Sequence, residues 1–120
     1  MQRFGIGEME MKMAKLLWDR EGIGSGAVVK LCAEEFGWKK STTYTTLKKL
    51  CEKGFAQNEN TVVSALIPRE QVQAYESERF VERAFDGSLP SFLAAFLGGK
   101  TITEQEAAEL KRLIDEHKEG

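Results

Sequence analysis

The sequence predicts a mainly α chain whose first half also carries a short β-hairpin. Three observations lead there. Apolar residues recur at three- and four-residue steps along most of the 120 positions. Glycine or proline punctuates those stretches at Gly22 to Gly26, Gly37, Gly54, Pro68, Gly87 and Gly98-Gly99. The pattern turns strand-like only between Phe55 and Ile67.

Each element follows from its residues. Met9, Met13, Leu16 and Leu17, followed by Trp18, make residues 8–19 an amphipathic first helix. The Gly22-Ile23-Gly24-Ser25-Gly26 stretch breaks it, and Ser25 is the expected N-cap of a second helix running to Phe36. Val28, Leu31 and Cys32 are its inward side, and Gly37 ends it. Trp38-Lys39-Lys40 leads into a third helix, Ser41 to Lys53. Its inward stripe is Tyr44, Leu47, Leu50 and Cys51; its outward face is Thr42, Thr45, Thr46, Lys48 and Lys49, with Thr43 near the edge. Threonine is a poor choice for helix stability, so such a face suits short hydroxyl contacts to a partner. Phe55–Gln57 and Val62–Ile67 are hairpin strands around a turn at Asn58-Glu59-Asn60. Helices return at Gln71–Asp86, at Ser91–Leu97 with Pro90 in the first turn, and after a capping box at Thr103-Glu104-Gln105-Glu106.

Composition bounds the function. With 42% hydrophobic and 30% charged residues, the chain is folded and has the size of one ordinary domain. No apolar run approaches the roughly 20 residues that span a bilayer, and no signal-peptide core follows Met1-Gln2-Arg3-Phe4-Gly5, so a cytoplasmic protein with no membrane partner is expected. Cys32 and Cys51 read as reduced core residues. Two cysteines and His117 are too few for a structural zinc site, so neither metal nor cofactor is expected.

The net charge of −2 hides an uneven distribution. Residues 39–53 hold Lys39, Lys40, Lys48, Lys49 and Lys53 against Glu52 alone. A local field of this kind docks phosphates even on an acidic protein. Helix, glycine-rich turn, helix, basic turn, helix and hairpin is the order of a winged helix-turn-helix, with the third helix sized for the major groove. The candidate DNA-binding residues are Lys39, Lys40, Ser41, Thr42, Thr43, Thr45, Thr46, Lys48 and Lys49. Trp38 is expected to pack under the turn.

The remainder, 69–120, reads as a helical dimerisation region following a DNA-binding domain over 1–68. Its short helices carry more large apolar groups than they can cover alone, and a homodimer would bury them. The candidates are Phe80, Phe85, Phe92, Phe96, Leu97, Leu110 and Ile114.

Several stretches carry a resemblance. Ile6-Gly7-Glu8-Met9-Glu10 running to Leu17-Trp18, then Trp38-Lys39-Lys40-Ser41-Thr42-Thr43-Tyr44-Thr45-Thr46-Leu47-Lys48-Lys49-Leu50, then Glu52-Lys53-Gly54, resemble the penicillinase-repressor family. Asp86-Gly87-Ser88 resembles that family's Asp-Gly-Ser before a short apolar helix. The resemblance implies a transcriptional repressor that binds double-stranded dyad operator DNA as a homodimer. It also implies a sensor protease as a partner whose cut relieves repression. Some positions depart from the family pattern: Thr43 stands for valine, Met11 for tryptophan, Lys49 for arginine, and Ala95 for the asparagine before Phe96. Residues 55–68 hold no Lys or Arg, where family wings are commonly basic, and there is no cysteine-rich tail of the metal-responsive branch.

Two functional readings from different classes remain. One is the sequence-specific repressor. The other is a winged-helix protein-interaction module that does not read DNA, in keeping with the acidic total charge and a wing without Lys or Arg. An enzyme is not expected: the lone histidine is near the end, and neither a phosphate loop nor a context-fixed carboxylate pair is present.

Overall fold

A computed structural model describes residues 5–120; the reading of Met1 to Phe4 lies outside the described residues. The elements are α1 (Glu8–Trp18), β1 (Ile23–Gly24), α2 (Ser25–Phe36), α3 (Lys40–Glu52), β2 (Ala56–Glu59), β3 (Val62–Ala65), α4 (Arg69–Phe85), α5 (Leu89–Leu97) and α6 (Glu104–His117). This is the winged-helix order followed by further helices that the sequence predicts. Among the described residues no helix is long and apolar enough to cross a membrane.

The strands form one antiparallel sheet in the order β1-β3-β2. Pairing of Glu59 with Val62 leaves Asn60-Thr61 as a two-residue turn. Both turn residues have positive φ, 51° and 63°, as the right-handed twist of a tight hairpin demands. The turn therefore begins two residues later, and ends one later, than the Asn58-Glu59-Asn60 placement. The two-residue β1, which pairs Ile23 with Val63, comes from the glycine-rich stretch expected to be only a break. Ser25 is the first residue of α2, not its cap; Gly24 holds the cap position without a side-chain bond. Gly37, at φ 70°, closes α2 in the left-handed conformation that a side chain would strain.

The chain divides into two compact units, one up to Phe80 and one from Val81 to Gly120. The first has a closed core of Met13, Leu16, Leu17, Val28, Cys32, Leu47, Leu50, Phe55, Val63, Ile67 and Val72. Leu31, Trp18 and Trp38 pack against it half-buried. Met9, expected inward on α1, is 41% exposed. Its place beneath the helix start is taken by Glu10, a buried acid whose Oε1 accepts from Lys53 Nζ at 2.6 Å and from the Gly7 N–H at 3.3 Å. The indole of Trp18 donates to the Ile67 carbonyl at 2.8 Å, while Arg69 stacks over its ring and pairs with Asp19 at 2.7 Å. These contacts fasten the start of α4 to the end of α1.

The second unit is built differently. Neither α5 nor α6 contains a fully buried residue. Ser88 caps α5 by accepting from the Ser91 N–H, with Pro90 in the first turn, and the Thr103–Glu106 capping box forms as expected.

Candidate nucleic-acid interface

The core decides which way α3 faces. Leu47 and Leu50 are almost wholly buried, and one helical period places Thr43 and Thr46 beside them. Thr43 is 0% and Thr46 5% exposed, so two of the expected DNA contacts turn inward. A threonine is tolerated there because its hydroxyl finds a partner on its own helix: Thr43 Oγ1 donates to the Lys39 carbonyl at 3.1 Å and Thr46 Oγ1 to the Thr42 carbonyl at 2.9 Å. Tyr44, expected inward, goes the other way and is 39% exposed. Thr42 is half-buried.

What remains outside is a continuous stripe. Ser41, Tyr44, Thr45, Lys48 and Lys49 are exposed on α3, and Lys39 and Lys40 are exposed at its N-terminus. Lys39 occupies the cap position without a side-chain cap bond, so no side chain caps the first backbone N–H groups of α3, which lie beside two cations. Lys39, Lys40 and Lys49 have no ion-pair partner among the described residues. Lys48 approaches Glu52 at 3.9 Å, but both side chains are well exposed, and a pair of that kind holds the lysine only weakly. Lys53 differs from the other four lysines of the segment: its ammonium is spent on Glu10 and on the Gly5 carbonyl at 3.1 Å. Phe36 and Trp38 pack with ring centroids 4.9 Å apart at the turn before α3, where Trp38 was expected.

The hairpin brings no cation to this face. Its tip offers Asn58, Glu59, Asn60 and Thr61, all exposed, and Gln57 is tied across the strands to Ser64 at 3.3 Å. Burial pushes both cysteine thiols above their ordinary range; for Cys32 a hydrogen bond with Thr43 partly offsets this. Both thiols are free, as the sequence led one to expect.

In the second unit the candidate pairing residues gather around an aromatic row. Phe85 meets Phe92 edge-on at 5.5 Å, and Phe92 meets Phe96 at 6.0 Å. A groove of about 290 Å³ between α5 and α6 is lined by Phe92, Phe96, Leu97, Ile102, Leu110 and Leu113, among others. Phe96 is 55% and Ile114 56% exposed. Phe80 belongs to the first unit and is exposed there.

A family model described as penicillinase repressor matches residues 6–116. A penicillinase repressor from Bacillus licheniformis is 26% identical over 117 residues, spanning 94% of this chain and 91% of that protein. The family match runs through both units, from just before α1 to the last turn of α6. The chain belongs to the penicillinase-repressor family of transcriptional repressors.

Proposed function

We propose that the chain binds a roughly palindromic DNA operator as a homodimer, with α3 of each copy in the major groove. The observation that carries this reading is the division of α3. One side is sealed into the core by Thr43, Thr46, Leu47 and Leu50, and the other presents hydroxyls, a phenol and lysines with no strong internal partner. Lys39, Lys40, Lys48 and Lys49 meet backbone phosphates; Ser41, Tyr44 and Thr45 face the groove floor, with Thr42 at its edge. Thr43 and Thr46 hold the helix in place and touch no DNA.

Residues 69–120 supply the pairing. Phe85, Phe92, Phe96, Leu97, Leu110 and Ile114, with Phe80, pack against the same residues of a second copy. This is supported by two helices with no buried residue of their own. A sensor protease is a further partner the family resemblance implies, with Ala95 standing where that family's cleavage segment has asparagine before Phe96.

Selection of bound sequences from random duplex DNA tests the proposal. A consensus with two inverted half-sites, about one helical turn or a multiple apart, supports it. One specific observation favours the interaction module instead: the wing has no cation. Recovery of no enriched sequence, together with binding indifferent to salt, would establish that reading.

A further inference from the structure

The exposed stripe of α3 contains one aromatic side chain, and the way the helix spends its hydroxyls gives that side chain a particular role. Thr43, Thr45 and Thr46 all donate to carbonyls one turn back, those of Lys39, Ser41 and Thr42, at 3.1, 2.9 and 2.9 Å. Thr43 and Thr46 are buried besides. The lysines are flexible point charges drawn to phosphate, which carries no sequence information. Few groups are left on the face with a free donor and a rigid shape.

Tyr44 is such a group. It lies between Ser41 and Lys48 on neighbouring turns, with Thr45 beside it, and all four are exposed. It combines a flat apolar body with a hydroxyl that both donates and accepts. An exposed tyrosine adds little to the core and has lower helix propensity than the lysines next to it. We propose that Tyr44 is the residue through which α3 discriminates among base pairs. Its ring lies against a thymine methyl or base edge, and its hydroxyl bonds a groove-floor acceptor or donor. This inference rests on the reading of the chain as a DNA-binding repressor.

The test uses the full chain and its Tyr44→Ala and Tyr44→Gln variants. Each is bound to the selected wild-type site and to every single-base-pair change in one half-site, across a salt series. Tyr44→Ala is expected to lose about tenfold discrimination at one position per half-site, with the other positions and the salt slope unchanged. Tyr44→Gln is expected to move the preferred base at that same position toward adenine, the partner of a glutamine amide. A side chain that only stabilised the helix would move neither readout. If both variants keep the wild-type preference everywhere while the wild type binds steeply with salt, Tyr44 is not the discriminating residue and DNA reading stands. A wild-type chain that binds no duplex overturns both. Loss of the far-ultraviolet helical spectrum in Tyr44→Ala would place Tyr44 in the core and overturn the proposal as well.

Discussion

Five lysines between residues 39 and 53 look alike in the sequence, and the structure separates them into two kinds. Lys53 is bonded to Glu10 at 2.6 Å, with the two side chains 27% and 10% exposed. Lys48 is 77% exposed and 3.9 Å from Glu52, itself 63% exposed. Replacing Lys53 by Met leaves the Glu10 carboxylate nearly buried, with the Gly7 N–H as its remaining partner. Breaking a fully buried pair costs ~3–5 kcal/mol; partial water access through the Lys53 side lowers this to about 2–3 kcal/mol. At roughly 4 °C per kcal/mol, Tm should fall by about 8–12 °C. Removing both charges, as Glu10→Met with Lys53→Met, should recover most of the loss, because no unpaired charge then remains. Lys48→Ala should behave in the opposite way. Its stability should stay within ~0.5 kcal/mol of wild type, while the salt dependence of DNA binding flattens by about one unit per protomer. Urea unfolding followed by circular dichroism and duplex titration at several salt concentrations measure both quantities on the same samples. The reasoning fails if Lys53→Met unfolds at the wild-type midpoint, or if it flattens the salt slope as much as Lys48→Ala does.

Three further perturbations have defined outcomes. Asn60→Ala should lose about 1 kcal/mol, because alanine tolerates φ 51° less well than asparagine, and Asn60→Gly should be neutral or better; thermal melts compare them. Phe96→Asp should shift sedimentation from dimer to monomer at micromolar concentration and weaken operator binding, since two linked readers outbind two separate ones; a variant that stays dimeric contradicts the pairing surface. The thiols, raised from 9.0 by burial, are favoured as neutral groups in the folded chain. Their contribution to stability is therefore complete below pH 9.0 and fades as pH rises through their folded values. Alkylation at pH 8 should accordingly be slow in the folded protein, slower at buried Cys32 than at half-buried Cys51, and fast in urea.

Much of the fold was legible because long helical periods and glycine stops are strong local signals. The Thr103–Glu106 capping box, Pro90 at the head of α5 and the core set of Leu16, Leu17, Leu47 and Leu50 could be read directly. The facing of α3 could not, for an identifiable reason. A hydrophobicity pattern assigns Tyr44 to the core and threonine to water. Yet residues 43, 46, 47 and 50 form the i, i+3, i+4, i+7 stripe, and back-bonding to the helix carbonyls lets threonine fill the first two places. Glu10 and Lys53 were hidden in the same way, since two charges 43 residues apart reveal their pairing only when α1 and α3 meet. β1 leaves no mark in the sequence because a two-residue strand in a glycine-rich stretch exists only through its pairing with β3.

The grip of α3 on phosphate shows most plainly in how duplex affinity depends on salt. If Lys39, Lys40, Lys48 and Lys49 of two protomers make six to eight phosphate contacts, the log–log slope should be on the order of −5 to −7, at about −0.9 per contact. That slope is expected despite the net charge of −2. A slope near zero, or no duplex binding at all, would overturn this reading.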